Sequence, residues 1–201
     1  MNTTDDTSTS TDTGTDAAAY LRQGDLRLLD TPTARHLLAT VPVARLAYTG
    51  KDGTPRVIPV NFLWTGGELV IAAFAGTYKV RDLTARPDVA VCIDTTEAPP
   101  QVLMLRGRVT LAESDGVLPE YATMQRAMMG EEAGTAYIEA IDQPGLRMVR
   151  IVLRPAWAGV LDFQNRLSER TPAPVLAALG AKPAAGPAGD GRTGGTDERG
   201  M

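Results

Sequence analysis

Cysteine and histidine are almost absent from the sequence, with one of each, Cys92 and His36. A lone cysteine forms no internal disulfide, and one of each falls short of a zinc site, which takes about four Cys or His ligands. A serine or cysteine nucleophile would have to recruit His36 as its base, and no motif pairs with it. His36 is therefore read as a surface side chain, and Cys92, in an apolar stretch, as a small buried one. Cationic excess is missing too: Lys plus Arg total 20 against 24 for Asp plus Glu, a net charge of −4. Nucleic-acid binding needs a clustered basic surface, and none stands out. No apolar run approaches the roughly 18 residues of a transmembrane helix. Residues 2–16 hold no apolar side chain and lack the basic-then-apolar pattern of a secretory leader. These absences lead to the expectation of a cytoplasmic protein with neither a nucleic-acid nor a membrane partner.

What is present is an ordinary globular composition, 43% hydrophobic and 22% charged over 201 residues, enough for one domain with tails. The Thr/Asp-rich start predicts a disordered tail over 1–19. The turn to Gly, Ala and Pro from Lys182 onward predicts a mostly disordered tail within 166–201. The domain is placed at 20–165. Asp30-Thr31-Pro32 reads as a helix start, ended at Val41-Pro42. Strands are read over Val43–Thr49, Arg56–Trp64 and Glu68–Phe74, separated by a Gly50-Lys51-Asp52-Gly53 turn and a Thr65-Gly66-Gly67 turn. A short helix from Gly76-Thr77 to Arg86 stops before Pro87. Further strands follow at Val89–Asp94, Val102–Ala112, Leu146–Leu153 and Trp157–Phe163. Between the last two pairs, Ser114 and Asp115 read as caps of a helix to Met129, with another over Glu131–Ile141. Many short strands, close turns and few helices predict a mainly β (α+β) fold, a six- to seven-stranded antiparallel barrel with helices at its ends.

One segment stands out chemically. Thr77-Tyr78-Lys79-Val80-Arg81-Asp82-Leu83 follows a strand and opens a helix. The first turn of a helix has unpaired N–H groups and the positive end of the dipole, so it suits an anion. Lys79 and Arg81 put two cations where the dipole disfavours them, and a bound anion would relieve that conflict. By itself the pair also fits two solvated helix charges. On the second strand, alternation groups Val57, Pro59, Asn61 and Leu63 against Ile58, Val60, Phe62 and Trp64. Pro59 lacks a donor and belongs at an edge or bulge.

The ordered set Gly53-Thr54-Pro55, Val57-Ile58-Pro59-Val60-Asn61-Phe62, the Gly66-Gly67 turn, and Lys79-x-Arg81-x-Leu83-x-x-x-Pro87 resembles the core of the pyridoxamine 5'-phosphate oxidase-like flavin and deazaflavin split-barrel oxidoreductases. The resemblance implies a split β-barrel homodimer with cofactors at the subunit interface. It implies FMN or the deazaflavin coenzyme F-420 as cofactor, the second strand bordering the ring, and Lys79 on the phosphate. The cofactor-binding set it carries over is Pro59, Val60, Asn61, Phe62, Thr77, Lys79, Arg81 and Leu83, with Arg106 as a further phosphate candidate. The Lys-x-Arg form is similar to the branch that binds coenzyme F-420, where Asn usually stands at the position of Asp82. An acid beside a phosphate is a departure from that pattern. Gln101-Val102 and Gly107-Arg108-Val109 echo the oxidases proper with altered spacing, and no counterpart of their C-terminal basic substrate motif is present. The activity implied is hydride transfer between the cofactor and a small organic substrate, with no catalytic acid or base assigned, since the cofactor carries the chemistry. The alternatives are a protein that sequesters flavin, deazaflavin or haem without turnover, and a structural dimer with no cofactor. Tyr121, Met124, Met128 and Tyr137 read as core or dimer surface, on helices that in this fold can cover a substrate pocket. Trp157 reads as core.

Overall fold

The computed structural model describes residues 21–164, 167 and 171–178. The expected N-terminal tail lies outside them, as does the expected C-terminal tail apart from Leu167 and residues 171–178. Leu21–Arg166 forms one compact unit. It begins with a 3-10 turn, Leu26–Asp30, and then alternates strands and helices: α1 (Pro32–Thr40), β1 (Val43–Thr49), β2 (Pro55–Asn61), β3 (Leu63–Trp64), β4 (Leu69–Phe74), α2 (Tyr78–Ala85), β5 (Asp88–Asp94), β6 (Gln101–Asp115), α3 (Pro119–Met129), α4 (Glu131–Ile141), β7 (Arg147–Leu153) and β8 (Trp157–Asp162). The other unit contributes a six-residue helix, α5 (Ala173–Ala178), none of whose side chains is buried. Among the described residues no helix is long and apolar enough to cross a membrane.

The eight strands form one sheet in the order β2-β1-β5-β6-β7-β4-β3, with β8 also on β6, and every pairing is antiparallel. Two stretches of extended chain, the β2–β3 run and β6, change partners along their length, and these changes curl the sheet. β2 ends its ladder with β1 at Asn61, opposite Val43, and β3 starts a new one with β4 at Leu63, opposite Val70. Between them Phe62 turns inward, 6% exposed. The single strand expected over Arg56–Trp64 is thus two strands around a corner, because pairing changes partner there while side-chain alternation does not. The 15-residue β6 does the same: Gln101–Arg106 pairs with β8 and Val109–Asp115 with β7. Opposite this change the backbone bulges at Arg154-Pro155-Ala156, where the Ala156 N–H donates to Arg106 O at 2.9 Å. Gly107 makes room, since a Cβ there would lie 2.9 Å from Arg154 O.

Local chemistry explains the ends. Thr31 caps α1, its Oγ1 accepting from Ala34 N–H at 3.3 Å, with Pro32 at the first turn. The β1–β2 hairpin closes with Gly53 at φ 80°, and Asp52 Oδ1 accepts from Thr54 N–H at 3.0 Å. Ser114 and Asp115 do not cap a helix. They extend β6 opposite Met148 and Arg147, and the Arg147 guanidinium lies 3.0 Å from Glu113 and 3.7 Å from Asp115. The helix starts later, with Leu118 at the cap and Pro119 in the first turn. Cys92 is half-buried rather than enclosed. Burial, followed by the nearby Asp94 carboxylate, pushes its thiol pKa up.

The core fills the barrel with inward side chains of alternate residues. Leu46, Ile93, Leu103, Leu105 and Ile151 are all fully buried, each contributing about 1.5–3 kcal/mol relative to exposure. On β2 the inward face is that of Val60, continued by Phe62 at the corner, while Val57 is 65% exposed. β2 pairs with β1 alone, so Pro59 sits on an edge strand where its missing donor costs nothing.

Candidate cofactor site

β4 ends at Phe74, and the chain turns through Gly76, at φ 80°, into α2. Thr77 occupies the cap position without a side-chain capping bond, because its hydroxyl donates to Phe74 O at 3.0 Å. Its carbonyl accepts from Val80 N–H at 3.1 Å and Arg81 N–H at 3.3 Å. Among the described residues, the N–H groups of Tyr78 and Lys79 meet no acceptor. A helix end left open in this way offers its amides to an anion.

Lys79 stands beside these amides. It is half-buried, burial lowers its pKa below the usual 10.5, and among the described residues no carboxylate pairs with it. A desolvated cation at the positive end of a helix is held against both its hydration and the dipole. A phosphate would answer both.

Lys79 and Thr77 line a cavity of about 370 Å³ together with Pro59, Val60 and Asn61 of β2. The structure therefore gathers five of the sequence-derived candidates at one place. Its other walls are the end of β4 with Phe74, and Tyr121, Met124 and Gln125 of α3. Phe74 and Tyr121 meet edge to face with ring centroids 5.7 Å apart. The Tyr121 and Tyr137 hydroxyls lie 3.0 Å apart, tying α3 to α4. Burial, then the hydrogen bond with Tyr137, pushes the Tyr121 pKa up.

The remaining candidates lie elsewhere. Arg81 faces a second cavity, of about 480 Å³, with Lys51, Asp52 and Arg56. There it donates to Asp82 Oδ1 from Nε at 2.9 Å and from Nη2 at 2.7 Å, and lies 5.1 Å from the Tyr78 ring centroid. Asp82 is 5% exposed, so its charge is spent on Arg81 rather than turned toward Lys79. Leu83 is fully buried in the barrel. Phe62 lines a groove adjoining the Lys79 cavity. Arg106 lies over the Trp157 ring, 4.0 Å from its centroid, outside the Lys79 cavity. Sequence reasoning missed Phe74 and Gln125 altogether. Phe74 carried a signal, since the last residue of the strand feeding an anion-site helix must flank that site.

α3 is held over the cavity by charge. Arg150 Nε donates to Glu120 Oε1 at 2.6 Å, and Arg150 and Arg154 both reach Glu68, at 3.4 and 2.7 Å. Arg150 of β7 and Arg154, just past its end, thus pair with carboxylates of α3 and the β3–β4 turn. Burial is the largest single influence on Glu120 and pushes its pKa up, but the hydrogen bond from Arg150, a backbone hydrogen bond and the charge of Arg150 together outweigh it and the net shift is down.

The sequence model of one family, described as pyridoxamine 5'-phosphate oxidase, matches residues 30–158. No curated protein sequence matches the chain. Among solved structures, a conserved hypothetical protein from Mycobacterium tuberculosis superposes with a TM-score of 0.53 at 13% identity, over 71% of this chain and 89% of that one. An F-420 reductase gives a TM-score of 0.44 at 22% identity, over 62% of this chain and 94% of that one. The heme storage protein from Vibrio cholerae gives 0.48 at 18%, over 64% and 92%. With the match running from the start of α1 to the first residues of β8 and the strands curled into a split barrel, the chain belongs to the pyridoxamine 5'-phosphate oxidase family.

Proposed function

We propose that the chain is an oxidoreductase that binds FMN or coenzyme F-420 and passes a hydride between that cofactor and a small organic substrate. The observation that carries this is Lys79: a half-buried ammonium with no carboxylate partner among the described residues, beside two open helix amides and in one cavity with the β2 edge. The phosphate goes to Lys79 and the amides of Tyr78 and Lys79. The ring goes along Pro59, Val60 and Asn61. The cofactor supplies the hydride chemistry when bound, and the protein holds it in place and keeps water away. The working form is a homodimer, in which a second copy covers Val57 and Tyr78, 65% and 77% exposed in the single chain.

The test is a fluorescence titration of the purified protein with FMN and with coenzyme F-420, each also run on Lys79→Ala. Saturable binding that weakens about tenfold or more in the variant supports the phosphate assignment. Equal affinity in the two proteins sinks it. A bound cofactor that no reductant or substrate cycles would turn the reading to sequestration.

A further inference from the structure

A groove adjoins the Lys79 cavity. It runs between the C-terminal end of α1, the β2–β3 corner and α3, and encloses about 780 Å³, a volume usual for small-molecule sites. Asn61 and Met124 line both spaces. Leu38, Phe62, Trp64 and Met128 form much of its wall, the polar side chains are Thr40, Asn61 and Thr123, and among the described residues no Asp, Glu, Lys, Arg or His lines it. The two spaces therefore differ in charge: one has a desolvated cation, the other has none. An ion entering the groove would leave water for a place with no counter-charge, whereas an apolar ring gains by leaving water.

Met128 sits at the rim, 52% exposed, with its thioether 2.8 Å from Asn61 Nδ2. A thioether is a weak acceptor on a flexible arm. Displacing it frees an amide donor at the junction of the two spaces, where a better acceptor such as a carbonyl oxygen can take its place.

We propose that this groove is the substrate site and that it takes an uncharged, apolar ring compound bearing a carbonyl, which accepts from Asn61. The substrate role rests on reading the Lys79 cavity as the cofactor site, because Asn61 and Met124 are where the two ligands meet.

Benzylideneacetone and cinnamate test the proposal. They share a phenyl ring, an alkene and a carbonyl carbon, and differ by a methyl group against a carboxylate oxygen. Both are titrated by calorimetry into the Lys79→Ala chain, so that the neighbouring cation plays no part. The expected result is saturable binding of the ketone about tenfold or more tighter than that of cinnamate. Met128→Glu, at an exposed position that does not threaten the fold, lowers ketone affinity about fivefold or more, and Met128→Leu restores it. Equal affinities, tighter cinnamate, or no binding of either overturns the proposal. So does a Met128→Glu chain that becomes monomeric where the parent is dimeric, since a second copy would then fill the groove. FMN and coenzyme F-420 titrations of the wild-type chain separate the two readings. Cofactor bound without ketone binding sinks the groove alone. Ketone bound without either cofactor sinks the cofactor reading and leaves the groove a ligand site without a substrate role.

Discussion

Arg81 gives two side-chain hydrogen bonds to the residue that follows it, Asp82, at 2.9 and 2.7 Å. The pair lies on the first turns of α2, where Lys79 is left to face the cavity. Asp82 thereby removes one of the two cations that the local sequence offers to an anion. Replacing Asp82 by Asn keeps the shape and takes away the charge that holds the guanidinium. The expected outcome is an FMN affinity about three- to tenfold higher in Asp82→Asn, as for one gained charge-assisted contact. Arg81→Ala alone should change FMN affinity less than about twofold, and in the Asp82→Asn background it should erase the gain. The check is a double-mutant cycle by fluorescence titration. An unchanged affinity in Asp82→Asn would mean that Arg81 cannot reach the phosphate.

Much of this arrangement can be read from local pattern, and the rest cannot. β1 and α2 follow from alternation, turn residues and the Thr77–Lys79 run, all short-range signals. The corner at Phe62 leaves no local trace, because the side-chain period continues while the hydrogen-bonding partner changes. Ser114 and Asp115 look like helix caps until Arg147 draws them into the ladder from across the sheet. In the site, Pro59, Val60, Asn61, Thr77 and Lys79 belong to contiguous motifs and are legible. Tyr121, Met124 and Gln125 reach the same cavity because α3 is held to the sheet by Arg150 and Glu120, 30 residues apart. Arg81 was legible as a charge but not as a spent one, since which way it turns depends on how deeply Asp82 is buried.

On the proposed phosphate assignment, the half-buried Lys79 ammonium makes cofactor affinity depend on pH with a definite sign. Burial lowers the Lys79 pKa below the usual 10.5. The charged form is present below that lowered value and is lost as pH rises through it. FMN affinity should therefore be steady from about pH 8, where a phosphate monoester with a second pKa of about 6 is almost fully ionised, and fall on the alkaline side before pH 10.5 is reached. Lys79→Arg keeps its charge up to about pH 12, so its profile should stay flat over the same range. Titrations between neutral and alkaline pH on both proteins decide the matter, and a wild-type profile as flat as that of the Arg variant counts against Lys79.

Arg150 ties Glu120 of α3 to Glu68 beside β4, and α3 roofs the cavity. Arg150→Met removes that tie and leaves the two carboxylates facing one another with Arg154 alone. At pH 7 the variant should melt at a lower temperature than wild type and bind FMN about threefold more weakly. The hydrogen bonds from Arg154 and then Arg150 hold the Glu68 pKa below its usual 4.5, and Glu120 is shifted the same way. Carboxylates so lowered stabilise the fold above their usual pKa, and that contribution is lost as pH falls through the lowered values. The difference in melting temperature between the two proteins should therefore shrink below about pH 4. Melts followed by circular dichroism at pH 7 and at the acid end show it, and a gap of constant size would detach Arg150 from these two acids.

Gly134 fixes how closely α4 packs on α3. A Cβ at this position would lie 2.6 Å from Arg126 Cα and 2.9 Å from Arg126 N, which are backbone atoms that no rotamer change can move. Alanine in a helix gains about 1 kcal/mol over glycine from propensity. Overpacking against a fixed neighbour costs about 1–3 kcal/mol, and backbone contact falls at the upper end. The clash therefore wins, and Gly134→Ala should destabilise the chain by about 1–2 kcal/mol, lowering Tm by about 2–8 °C for a domain of this size. The two helices must part for the methyl group to fit, which loosens the Tyr121–Tyr137 hydroxyl pair and shifts the wall that Tyr121 and Met124 give the cavity. FMN affinity should fall with Tm, by about threefold. A lower Tm with unchanged affinity would show that the α3–α4 packing serves stability alone, and a raised Tm would show that propensity outweighs the contact.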